Sequence, residues 1–429
     1  MAARERDRAG GHRFRRRFRR RVVLARCRSA RPTLGGEVTT TDVPTSLSAS
    51  LPPLSVSGRD RLVREELAKR AAAGAATDTA RPDSLVVFDL NNIRWLTGFT
   101  GSAGTLIVRP DEMVFITDGR YGEQARAQFA ASGAAARVVV GTSAAIMREG
   151  MEQALNGARA VAVDPTEVTQ AQFETLRGQT SAGLVTLGGV VQHLRRRKTA
   201  AEIARMRRAA ACTDAALAEV ERMMSDRPTE RDVRDELEYR MRRHGADGPS
   251  YDTIVATGPN GARPHHRPTS TVIEEGHLVV IDVGGLVDGY HSDMTRTYLI
   301  GDVDPVLRRM HDVVRESQLA GLAAVRAGVT AGDVDKTCRD IIVDAGFGGE
   351  FIHSTGHGVG LQIHEQPWVR TGLSEPLQSG EVVTVEPGVY REGLGGVRIE
   401  DLVVVTDTGC DILTETPKDI SCLQLAPTN

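Results

Sequence analysis

Residues 279–301 read VVIDVGGLVDGYHSDMTRTYLIG, an apolar, β-branched run broken by Asp282, by glycines and by Asp293 before a second apolar run. Strand, turn, strand is the local reading, because Gly284, Gly285 and Gly289 supply the backbone freedom of a bulge or turn. The two aspartates are eleven residues apart, an odd spacing that would set them on opposite faces of one continuous strand. A hairpin removes that conflict and lets both carboxylates converge.

Three later segments repeat the theme. They are HSTGHGVGLQIHEQP (353–367), VVTVEPGVY (382–390) and GVRIEDLVVV (396–405), in which His357, Glu386 and Glu400 stand among valines and glycines. Glutamate is a poor strand residue unless something draws it inward. A buried carboxylate needs a partner, and a cation is one. Taken singly, each aspartate reads equally as a turn residue, the histidine as a hydrogen-bonded one and each glutamate as an edge-strand position. Together Asp282, Asp293, His357, Glu386 and Glu400 read as the ligands of a two-metal hydrolase.

Four carboxylates and one imidazole form a hard donor set that suits manganese, cobalt, iron or zinc better than copper. Two divalent ions balance the four negative charges, and the donor types leave the choice among these metals open. Shared carboxylates and a bridging hydroxide would serve amide or ester hydrolysis. Further histidines lie in or near the same segments: His265 and His266 in RPHHRP (263–268), His353, and His364. Near a metal pair, His265, His353 and His364 suit proton donation or oxyanion stabilisation. His266 and His291 are given no chemical role.

Length and composition set the frame. At 429 residues, with 40% hydrophobic and 26% charged residues, the chain is long enough for two domains of an ordinary globular protein. No apolar run approaches the ~18 residues of a membrane span. Five cysteines, odd in number and without a CxxC pair, indicate neither a disulfide framework nor a thiolate zinc site. A reducing cytoplasm is the expected location. The net charge of -2 hides an asymmetry, for residues 1–34 hold thirteen arginines against Glu5 and Asp7. That stretch and the Ser-, Thr- and Pro-rich run after it read as a disordered tail and linker over 1–59. A nucleic-acid role is not expected outside the basic tail.

Residues 60–193 read as a first α/β domain: an amphipathic helix at 61–73, then short apolar runs such as DSLVVFDL (83–90) and MVFITDG (113–119) bounded by turn formers. It holds no phosphate-binding glycine fingerprint and no nucleophile elbow. Residues 194–429 read as the catalytic domain, in the order helices, strand hairpin, helices, strand hairpin, with ligands from two related halves. The fold class expected is therefore α/β (α+β) with two domains.

These segments resemble the pita-bread metallopeptidase family, which includes methionine aminopeptidase, aminopeptidase P, Xaa-Pro dipeptidase (prolidase) and creatinase. NNIRWLTGFTGSAGTLIV (91–108) and FITDGRY (115–121) also resemble the creatinase-like N-terminal domain of its proline-specific branch. The resemblance implies that Asp282 and Asp293 bind one metal, that His357 and Glu386 bind the other, and that Asp293 and Glu400 bridge the two. It implies catalytic or substrate-binding roles for His265, His353, His364, Glu386 and Arg398, and a homodimer acting on short peptides. The expected activity is that of a dinuclear exopeptidase cleaving Xaa-Pro bonds of dipeptides or peptide N-termini. Alternatives are a methionine-type aminopeptidase, against which the extra N-terminal domain argues, and a non-catalytic binding protein, which should have lost ligands. None of the five is lost.

Overall fold

The computed structural model describes residues 50–73, 81–419 and 422–425. Residues 1–49, which contain the Arg-rich stretch, lie outside them. The end of the expected linker does not behave as one. Val56 is buried, its N–H bonds to the Ser132 carbonyl at 2.9 Å, and the Pro52 carbonyl accepts from Arg205 at 3.0 Å. Apolar Leu51, Leu54 and Val56 punctuate this polar run, and each finds a packed surface.

Helix Arg59–Ala72 leads into a six-stranded mixed sheet with spatial order Ala136–Gly141, Met113–Asp118, Thr105–Val108, Ser84–Val87, Ala160–Val163 and Gly183–Thr186. The middle three strands run antiparallel to their neighbours within the group, and the outer strands join in parallel through helical crossovers. Strands as apolar as LVV and MVFIT are buried on both faces, which is what crossover helices produce.

The rest of the chain repeats one plan. Helices Ala200–Val220 and Glu230–Arg243 precede antiparallel strands Ile254–Thr257, Leu278–Val283 and Met294–Ile300. Helices Pro305–Ala324 and Ala331–Asp344 then precede Gly356–Gly358, Val382–Val385 and Asp401–Val405. The helix starts are written in the sequence: Thr199 with Glu202 and Thr229 with Asp232 form capping boxes, and Pro305 follows the capping Asp304. Among the described residues no helix is long and apolar enough to cross a membrane.

One face of the N-terminal sheet keeps a core of its own, with Val86, Ile107, Ile116, Val161 and Leu176, while the other face shares a core with the rest of the chain. One apolar cluster runs from Val63, Leu85 and Phe115 through Met206 and Tyr290 to Val359, Val382 and Leu402. Polar contacts reinforce this junction. Glu365, on the strand Glu365–Val369, accepts from Arg195 at 2.6 Å and from Lys198 at 2.8 Å, and Arg195 also donates to Asn92 of the N-terminal module at 2.8 Å. All three charged side chains are less than a tenth exposed. Glu365→Leu therefore leaves two buried cations without their anion and should cost about 3–5 kcal/mol, read as a lower urea midpoint with an unchanged slope.

Candidate metal centre

The hairpin of residues 278–300 is built as the glycines suggest. Asp288 and Gly289, both at positive φ, form its two-residue tip between Val287 and Tyr290. In the main ladder Thr295 faces Asp282 and Met294 faces Val283. Asp293, two residues before Thr295, thus shares a face with Asp282 as its diagonal neighbour, and antiparallel pairing resolves the odd spacing.

The second half supplies the other donors. Val385 pairs with Asp401 at the end of a ladder, so Glu386 and Glu400 stand opposite one another just beyond it. Glu400 was expected mid-strand and instead occupies the break between Gly395–Arg398 and Asp401–Val405. That break frees its backbone to cross over, and its N–H bonds to the Thr295 carbonyl at 3.1 Å, which joins the two halves. His357 lies on the strand Gly356–Gly358, where a Cβ at Gly356 would meet the Thr384 carbonyl oxygen at 2.1 Å. Only glycine permits so close an approach.

All nine side chains singled out in the sequence line one cleft of about 450 Å³: the five candidate ligands with His265, His353, His364 and Arg398. Donor atoms of Asp293, His357 and Glu400 lie within 4.8 Å of one another. The His357 Nε2 is 3.3 Å from Glu386 and 3.5 Å from Asp293. Asp282 joins through Tyr251, whose hydroxyl contacts both aspartates, and through Arg398 at 2.5 Å.

Two features test whether a cation fits. His357 Nδ1 donates to the Gly358 carbonyl at 3.1 Å, which leaves the Nε2 lone pair aimed at two carboxylates. Lone pairs facing one another in this way are an electrophile's seat. Second, burial holds the Asp293 carboxyl well above the usual range, with Asp282 and Glu386 adding to the shift, and burial followed by Asp293 and Glu386 does the same to Glu400. Divalent cations would remove that repulsion, so the donor set fits them.

The raised carboxyls predict an unusual pH dependence for metal-free protein. Above about pH 4 the unfolded chain releases protons that folded Asp293 and Glu400 retain, so stability falls as pH rises toward neutrality. The melting temperature of metal-free protein should drop between pH 5.5 and pH 8, and drop less in Glu400→Gln. An equal drop in both proteins would refute this electrostatic picture.

The histidines separate into different settings. His364 is exposed to the cleft, with its ring centroid 4.4 Å from that of His357 and stacked on Trp368. Burial and the neighbouring His357 lower its pKa. His265 is likewise exposed to the cleft. His353, expected as a catalytic group, has both nitrogens engaged: Nδ1 donates to the Ser354 carbonyl at 2.8 Å, and Nε2 meets the Tyr390 hydroxyl at 2.9 Å. With Arg398 donating to the same hydroxyl at 2.7 Å, the Tyr390 O–H is left to donate its hydrogen bond to His353 Nε2. This geometry makes His353 a brace for Tyr390 and Arg398. His266, left without chemistry, is buried against Glu230 at 2.8 Å.

Sequence reasoning missed the side chains that orient the ligands. Thr295 donates to Glu400 at 2.6 Å and accepts from Arg398, while Thr384 donates to Glu386 at 3.0 Å and accepts the His357 N–H. Tyr251 and Tyr390 complete the set.

Comparison with known proteins follows the same division of the chain. Residues 204–407 match the model of metallopeptidase family M24, and residues 69–197 match that of the creatinase/prolidase N-terminal domain. The peptidase YqhT of Bacillus subtilis, described as uncharacterized, is 37% identical over 349 residues, covering 80% of this chain and 96% of that protein. An Xaa-Pro dipeptidase of Pyrococcus furiosus is 41% identical over 231 residues, covering 54% of this chain and 66% of the relative. Among solved structures, an Xaa-Pro dipeptidase from Bacillus anthracis superposes with a TM-score of 0.79 at 34% identity, covering 85% of this chain and all of that one. A convergent carboxylate and histidine cluster, a fold shared along nearly the whole described chain and this level of identity together place the chain in metallopeptidase family M24.

Proposed function

We propose that the protein is an Xaa-Pro exopeptidase that hydrolyses dipeptides or the N-terminal Xaa-Pro bond of short peptides. The observation that carries this reading is the cleft itself, where five ligand-type side chains converge beside exposed His265 and His364. The names of the relatives, Xaa-Pro dipeptidase among them, support the substrate class.

Asp282, Asp293, His357, Glu386 and Glu400 would hold the metals, with Asp293 and Glu400 best placed to be shared. Divalent ions in such a site acidify a water and polarise a carbonyl oxygen. The chain's own groups do the remainder. Glu386 stands at the cleft wall as a proton acceptor, with its Oε1 fixed by Thr384. His364, open to the cleft, can hand to the departing amine nitrogen the proton that Glu386 would take from the nucleophilic water. His265 lies on the same cleft and suits a substrate carbonyl or carboxylate. Arg398, held by Asp282, Thr295 and Tyr390, fixes the position of Asp282 and adds positive charge at the cleft wall.

The proline preference has a physical reason. An Xaa-Pro bond lacks the amide N–H, so recognition cannot depend on gripping that hydrogen, and the leaving secondary amine must be protonated. Manganese suits the oxygen-rich donors, and the proposal includes a homodimer, as the resemblance to proline-specific relatives implies, acting in the reducing cytoplasm that the odd, scattered cysteines fit.

The test is reconstitution. Metal-stripped protein given Mn2+, Co2+ or Zn2+ should cleave Gly-Pro or an Xaa-Pro-Pro tripeptide and leave Gly-Ala largely intact. Inactivity on both proline substrates with every metal would sink the proposal.

A further inference from the structure

The segment 351–357 carries His353 and His357, yet residues 351–355 belong to no strand or helix. Its polar backbone must therefore be satisfied from elsewhere. The structure assigns that task to two residues on the helix Ala331–Asp344 that lie outside the cleft lining.

Asp335 and Arg339 are four apart and share one helix face. Arg339 donates to Asp335 through Nε at 3.1 Å and Nη2 at 2.9 Å. The same guanidinium donates to the Phe351 carbonyl at 3.1 Å and to the His353 carbonyl at 2.9 Å, and it lies 4.0 Å over the Phe351 ring. Phe351 in turn packs edge-on against the His353 ring at 5.2 Å. Asp335, fully buried, accepts from the Thr355 N–H at 3.2 Å, the Thr355 hydroxyl at 2.8 Å and the Thr371 hydroxyl at 2.6 Å. Beyond Thr355 the chain of contacts continues, because its carbonyl accepts the Glu386 N–H at 2.8 Å.

One ion pair thus grips the segment on both sides of His353. It also reaches the backbone of Glu386 and stands two residues from His357. We propose that Asp335 and Arg339 are positioning residues for the reaction: they set where His353, His357 and Glu386 sit, and neither touches substrate or metal. The proposal rests on the peptidase reading of the cleft. Its physical basis is that outer partners of ligand side chains tune affinity and rate through geometry. The fork matters as much as the charge, since a lysine cannot reach two carbonyls and a carboxylate at once.

The pair can be altered without emptying the core. Arg339 borders a solvent-open groove of about 600 Å³, so water can fill the space left by a shorter side chain. The experiment compares Arg339→Lys, Asp335→Asn, Thr355→Val and Thr355→Ser with wild-type protein. It measures Mn2+ binding to metal-free protein by calorimetry, and kcat and KM for Gly-Pro at saturating Mn2+. Arg339→Lys, Asp335→Asn and Thr355→Val should bind Mn2+ about 10-fold or more weakly and lose about 10-fold in kcat, with KM within about 2-fold. Thr355→Ser, which keeps the hydroxyl, should restore wild-type values.

Folded variants with wild-type affinity and kcat would overturn the proposal, as would a rise in KM alone or Thr355→Ser failing as badly as Thr355→Val. If Asp335→Asn does not fold, Arg339→Lys and the Thr355 pair decide the matter by the same criteria. Wild-type protein that neither binds Mn2+ nor cleaves Gly-Pro would overturn the peptidase reading itself, and this proposal with it.

Discussion

Glu400→Gln should lower hydrolysis of Gly-Pro by at least about 1,000-fold, equivalent to about 4 kcal/mol of transition-state stabilisation. The side chain is 2% exposed and accepts the Thr295 hydroxyl at 2.6 Å. Glutamine preserves that hydrogen bond and the shape, so the fold has no reason to change. What disappears is the charge, together with the second oxygen that a shared ligand requires. Burial and the carboxylates of Asp293 and Glu386 make Glu400 costly to ionise without metal. The variant should therefore be at least as stable as the wild type when both are metal-free at pH 8. Loss of activity without loss of stability is the expected pairing, read by steady-state kinetics and thermal melts. Equal damage to both would mean that Glu400 is structural.

The second large effect belongs to His364. Replacement by alanine should lower kcat by about 100-fold while leaving Mn2+ affinity within a few fold, the range expected when a proton-transfer group is removed. His364 sits exposed in the cleft beside His357, and none of its contacts supports the fold beyond stacking on Trp368. His353 offers the contrast. With both nitrogens committed to Ser354 and Tyr390, His353→Ala should act through the position of Arg398 and cost less in kcat. A larger loss at His353 than at His364 would reverse these assignments.

The candidate ligands stood out because most of them interrupt an apolar run, and a carboxylate among valines has few physical excuses. Convergence of Asp282 and Asp293 was legible from the glycines between them, although the diagonal pairing across Met294 and Val283 needed the ladder itself. Tyr251, Thr295, Thr384 and Tyr390 escaped notice for a simple reason. Threonine and tyrosine are ordinary strand residues, and nothing local separates one that packs from one that orients a ligand. The two partners of His353, Ser354 and Tyr390, were not legible because tertiary structure settles them. The Glu365 cluster was invisible for the same reason, since Lys198 and Arg195 lie 167 and 170 residues away. The helix starts, by contrast, depend on neighbours three residues apart, as the capping boxes at Thr199 and Thr229 show.

The central claim is that this cleft works through divalent metal. The most direct test titrates metal-free protein with Mn2+ while following Gly-Pro hydrolysis at each step. The account predicts no turnover without metal, and a rate that rises and levels off as two ions bind per chain. Turnover by the metal-free protein, or saturation with Mn2+ and no cleavage of a proline bond, would contradict it.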